Sequence, residues 1–192
     1  MSVTTSEALD PADDFRDADG LDELDGPDDE AQALRHFLDY QRSAVLAIVD
    51  GLDEEAWHRP IVPSGWTPAG LVEHLGGAER HWFQGVVLGR VDELPWDEGR
   101  PDYDPDMALT CERPSADIVA YYREQCTRSD AVLDAVPLTA APRGKHNGPD
   151  EEDQPPNVRW VVLHMIEETA CHSGHLDIAR EMADGARNRG GR

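Results

Sequence analysis

Basic residues are scarce in this chain of 192 residues: 17 Lys and Arg stand against 40 Asp and Glu, a formal charge of −23. Lys145 is the sole lysine. A charge of that sign argues against a nucleic-acid partner, which needs a basic footprint to meet phosphate, and equally against an anionic membrane surface. Long apolar runs are missing too; none approaches the roughly 20 residues needed to cross a bilayer. The N-terminus, MSVTTSEALDPADD, has neither the basic start nor the apolar stretch of a secretory signal, so the expected location is the cytoplasm. The three cysteines, Cys111, Cys126 and Cys171, are odd in number and follow no CxxC spacing. That excludes a disulfide framework and a structural zinc knuckle, and leaves three reduced, space-filling thiols.

The acidic excess is partly local. Residues 1–30 hold twelve acidic groups and one Arg, and the stretch 1–27 reads as a disordered acidic tail. Helical periodicity then sets in. A first helix is expected from Asp28 to Leu52, burying Leu34, Phe37, Leu38, Val45, Ile48 and Val49, with Gly51 and the following acidic triplet as its exit. The segment Trp57 to Gly65 is too Pro-rich for a helix interior. Thr67 as N-cap and Pro68 at the first position open a second helix reaching about Gly89, with Leu71, Leu75, Ala78, Trp82 and Val86 inward. Pro114-Ser115 opens a third, whose apolar side carries Ile118, Tyr121, Tyr122, Val132 and Leu133. A fourth runs from Arg159 to about Asp184. Residues 90–113 and 137–156 are Pro-, Gly- and acid-rich connections, long enough for crossovers or a pocket lid, and the terminus 186–192 is a basic tail. Four helices with no strand-like alternation between them give an all-α four-helix bundle over residues 28–185, with long inter-helix loops.

The chemistry concentrates on the last helix, RWVVLHMIEETACHSGHLDIARE. Its apolar stripe passes through Val161, Met165, Leu176 and Ala179, and continuing it at helical spacing places Glu168, His172 and His175 on the core side. Glu168 and His172 are four residues apart and share a face. Burying a carboxylate and an imidazole bare costs several kcal/mol, so they need a partner or a metal ion. Bundles build metal sites from facing helices, one of which supplies two ligands a turn apart, and His74 is the candidate third ligand from the second helix. The alternatives are an ion pair of Glu168 with Arg123 or Arg180, and core histidines satisfied by carbonyls. His81 is expected half-buried beside the site, and His36, His58 and His146 on the surface.

Two motifs sharpen this. The segment PSGWTPAGLVEHLGGAERHW, Pro63 to Trp82, resembles the second helix of the DinB-like superfamily, in particular an actinobacterial branch allied to mycothiol-dependent maleylpyruvate isomerase. The segment HMIEETACHSGHLDIARE, His164 to Glu181, is similar to the last bundle helix of that branch. The resemblance implies a divalent metal, zinc first and nickel next, on His74, Glu168 and His172, in a His–Glu–His form rather than the superfamily's three histidines. It implies a low-molecular-weight thiol such as mycothiol acting on a small electrophile, as a transferase or isomerase. His175 and His164 would orient ligands or shuttle a proton, with Glu167 and Arg180 as helpers. A non-catalytic metal-binding or stress-response bundle is the rival reading, marked by a fourth protein ligand such as His175 or Cys171. Dimerisation through helix faces agrees with the resemblance, and the sequence itself does not decide it.

Overall fold

The computed structural model describes residues 27–90, 109–146 and 154–187. The expected disorder of the acidic tail, most of the first long loop, residues 147–153 of the second and the end of the basic tail lie outside those residues.

Helix α1 spans Pro27–Val49. Its buried stripe runs Leu38, Arg42, Val45 and Val49, with Leu34 partly covered above it. Phe37 falls about 100° off that stripe and is 58% exposed, not buried as periodicity suggested. The acidic triplet after Gly51 does more than end α1. Asp53 caps a short helix α2, Glu54–His58, by accepting the Ala56 N–H at 2.8 Å, and α2 buries Ala56 and Trp57. Helix α3, Pro68–Glu79, starts as expected, with the Thr67 hydroxyl accepting from the Gly70 N–H at 3.1 Å. It then widens into a π-helical segment, Arg80–Val87, whose exit is marked by the Leu88 N–H donating to Phe83 five residues back. Helix α4 is Ser115–Ala135. Helix α5 is Val158–Asp184, capped by Asn157 on the Trp160 N–H and ended by Gly185 at φ 80°, a left-handed cap that suits glycine.

Cross-links fix the directions. Arg159 pairs with Glu30 at one end and Arg180 donates to the carbonyls of Ile48 and Asp50 at the other, so α1 and α5 run parallel. Arg35–Asp134 and Arg42–Asp130 set α4 antiparallel to α1. His74 meets Glu168 while Trp82 meets Trp160, so α3 is antiparallel to α5. Two parallel pairs result, α1 with α5 and α3 with α4.

The core is divided. One cluster gathers Val45, Ile48, Trp57, Leu71, Leu75, Tyr122 and Leu176, the other Leu38, Phe83, Val86, Val132, Val161 and Met165. Between them lies a polar belt. Arg42 forks onto both oxygens of the fully buried Glu79 at 2.7 Å and also reaches Asp39 and Asp130. Burial opposes the charge on Arg42, but the Glu79 carboxylate more than offsets that and holds the guanidinium protonated. Beside it, the Gln84 amide donates to Gln125 Oε1 at 2.7 Å. The inward stripe of α3 is Val72, Leu75, Gly76 and Glu79, then Phe83 and Val86 in the π segment, with Leu71 and Trp82 buried on its flank.

Candidate metal centre

Helix α3 brings His74 to the seam with α5, and α5 answers with Glu168 and His172 one turn apart. His74 Nε2 lies 2.9 Å and His172 Nε2 3.1 Å from the same oxygen, Glu168 Oε1. A carboxylate accepts, so each imidazole donates its Nε2–H. Hydrogen bonds from His172 and His74 hold the Glu168 carboxyl far below the usual carboxylate range, against the upward push of partial burial. The two imidazole rings stand edge to face at 80°, centroids 5.1 Å apart.

These three residues are brought together as the spacing suggested, but not in the core. Their side chains are 28%, 25% and 18% exposed, on the shoulder of α5. At that level the core face belongs to Thr169 and Ser173, with Thr169 turning its hydroxyl back onto the Met165 carbonyl. The stripe drawn through Val161 and Met165 drifts around the helix over four turns, because seven-residue steps fall short of two full turns of 3.6. His175, also expected inside, is exposed, with Nδ1 3.4 Å from His172 Nδ1 and its ring near Trp66.

Donor atoms of His74, Glu168 and His172 all lie within 4.8 Å of one another, and among the described residues this is the group of three that could share a cation. Two imidazole nitrogens and one carboxylate oxygen suit a borderline divalent ion. Neither His175 nor Cys171 joins the group. Of the other expected helpers, Glu167 is exposed, and Arg180 is committed to Asp184 and the end of α1. Nor do the cysteines all fill space: Cys111 is buried and Cys126 partly so, but Cys171 is exposed.

His164 stands one turn from Glu168, but its ring packs on Trp82 at 4.5 Å and Trp160 at 5.3 Å. Two histidines assigned to the surface are held inside contacts. His58 Nδ1 is 2.9 Å from the Cys111 carbonyl, and His146 Nδ1 is 2.9 Å from His81 Nε2. Sequence reading had no access to the last pair, since 65 residues separate its members.

A family model described as Mycothiol-S-transferase matches residues 33–185. The chain belongs to that family. The match agrees with the DinB-like kinship read from the two motifs, and membership implies a small-molecule thiol substrate. Among solved structures, a conserved protein from Enterococcus faecalis is similar at TM-score 0.62 and 13% identity, over 81% of this chain and 97% of that one. At that identity the likeness concerns the fold, and it agrees with the family's bundle. No curated protein sequence matches the chain. Among the described residues no helix is long and apolar enough to cross a membrane.

Proposed function

We propose that this chain is a zinc-dependent S-transferase that joins a low-molecular-weight thiol such as mycothiol to a small electrophile. The observation that carries the reading is the convergence of His74, Glu168 and His172 from two helices, in a chain whose family is named for transfer on mycothiol. Bound there, a divalent ion would supply a Lewis acid that holds a coordinating thiol as its thiolate.

The chain's own residues do the rest. Holding an ion requires the Nε2 protons of His74 and His172 to leave, with each ring then carrying its proton on Nδ1. In that tautomer the Nδ1–H of His172 would point toward His175 Nδ1, 3.4 Å away, which would accept it and help to orient the ring. Two neutral imidazoles and one carboxylate neutralise only half the charge of a divalent ion, so the site favours an anionic sulfur. The reaction balances simply. The thiol gives up its proton, sulfur forms the S–C bond, and the leaving group departs with the electron pair and takes up a proton. The solvent-facing shoulder position and the three-residue donor set support an open site over a closed structural one.

The test is the rate of mycothiol consumption by a haloalkyl electrophile with zinc-loaded protein. Acceleration over the spontaneous reaction, lost in His172→Ala, is the expected result. A loaded wild-type protein that gives no acceleration with mycothiol or any other small thiol refutes the transferase reading.

A further inference from the structure

Next to the metal centre on the same α3–α5 seam sits a second constellation that the proposed chemistry does not use. Trp160 is large, apolar and yet 40% exposed. Its ring lies parallel to His164 (11°, 5.3 Å) and tilted against Trp82 at 5.7 Å. Trp82 is covered in turn by His146, stacked at 4.5 Å and 20°, and His146 is hydrogen-bonded to His81. These five side chains form one continuous cluster of rings, with Trp160 exposed at its outer end, the imidazoles half-buried, and Trp82 buried behind them at 6% exposure.

The placement of His146 is over-determined. Gln154 accepts from its N–H and donates to its carbonyl, both at 2.9 Å. The preceding backbone is pinned to the exit of the π segment, Arg143 N–H to Val87 and Gly144 N–H to Val86. A Cβ on Gly144 would stand 2.1 Å from the Gly85 carbonyl oxygen, so this close approach is open only to glycine. A π segment, a glycine contact and a two-pronged amide clamp thus converge on setting one imidazole against Trp82 and His81. Burial, then the nearby His146 and His164, lower the pKa of His81, which favours the neutral ring with one donor and one acceptor.

Distance decides what such a surface could take. Trp160 is eight residues from Glu168 on α5, about 12 Å along the helix axis. A small electrophile reacting at sulfur beside Glu168 does not extend that far. The body of the thiol cosubstrate does: mycothiol carries its cysteine on an amino sugar linked to inositol, two saturated rings studded with hydroxyls. Indole faces cover the apolar faces of such rings, and imidazoles, able to donate or accept, meet hydroxyls that do both.

We propose that the exposed Trp160 with His164, backed by the buried Trp82 and with His81 and His146 at its edge, is the subsite that binds the sugar–cyclitol body of the thiol cosubstrate. The choice of mycothiol as the ligand rests on the function proposed above. The subsite itself does not need the metal, and that separates the two claims experimentally. The probe is N-acetylglucosaminyl-inositol, the thiol-free body, with binding to the full chain followed by saturation-transfer NMR. Wild type and His74→Ala should bind it equally, Trp160→Ala should lose at least tenfold in affinity, and Trp160→Phe should recover most of it. In turnover, Trp160→Ala should raise KM for mycothiol about tenfold with kcat little changed, and leave KM for N-acetylcysteine untouched. His164→Ala gives a second variant should Trp160→Ala fold poorly. Failure of the probe to bind wild type, or equal binding by wild type and Trp160→Ala, overturns the subsite. So does a Trp160→Ala effect confined to the KM of an aromatic electrophile, which would reassign the platform to the acceptor. Loss of metal binding or transfer with probe binding intact would instead overturn the proposed function alone.

Discussion

Gly144→Ala is a substitution of one methyl group with a large expected effect. The added carbon would meet the Gly85 carbonyl at 2.1 Å and the Gly89 Cα at 3.0 Å, both backbone, so neither can rotate aside. The segment 141–146 must lift off the π segment. Doing so breaks the Arg143–Val87 and Gly144–Val86 backbone hydrogen bonds and the His81–His146 bond, and unstacks His146 from Trp82. At about 1 kcal/mol per hydrogen bond and about 0.5–1.5 for the ring pair, with partial recovery through water, the cost is about 2–4 kcal/mol. For a chain of this size that lowers Tm by roughly 4–16 °C, readable by calorimetry. The control is Gly174→Ala on α5, where an added Cβ meets nothing within 4 Å. There the same chemical change should be neutral or stabilising, by up to about 1 kcal/mol through helix propensity. A Gly144→Ala protein within about 0.5 kcal/mol of wild type would refute the claim that this contact positions His146, since that margin is the ordinary range of a surface substitution.

Other predictions follow from the belt and the seam. Glu79→Gln leaves the Arg42 guanidinium buried without its bidentate partner and should cost about 3 kcal/mol in urea unfolding, whereas replacing both with Met and Leu should cost far less. If Glu79→Gln were neutral, the buried pair would not hold the belt. Glu168→Gln should sharply weaken metal retention while His175→Ala leaves it largely intact, as read by dialysis against a chelator. Total loss in His175→Ala would make that residue a ligand. His81 has its pKa lowered in the fold, so the unfolded chain binds more protons in the window between its folded value and about 6.5. Stability should therefore fall as pH drops from about 6.5 through that window, and His81→Gln should flatten this part of the profile. An unchanged profile in the variant would contradict the burial argument.

Much of this was legible from residue spacing, and the failures have identifiable causes. Thr67-Pro68 and the four amphipathic stretches announced the helices because capping and periodicity are local signals. Glu168 and His172 could be paired at four residues' distance, and His74 joined them as a His that interrupts an apolar pattern. What went wrong came from assuming that inward means apolar. The true inner stripes of α1 and α3 pass through Arg42 and Glu79, and skipping those charges rotated the reading of α1 onto Phe37 and left Glu79 out of the inward side of α3. The drift of a seven-residue stripe around α5 put Glu168, His172 and His175 in the core, where Thr169 and Ser173 actually lie. The π segment and the docking of His146 depend on backbone contacts between residues nearly 60 apart, for which one sequence carries no local mark.

The central claim, a three-residue metal site, is tested most directly by metal content per chain. Elemental analysis of untagged protein, with His74→Ala alongside, should give about one zinc ion per wild-type chain and essentially none in the variant. No metal in the wild-type protein after loading, or equal metal in both proteins, would contradict the assignment of His74, Glu168 and His172 as its ligands.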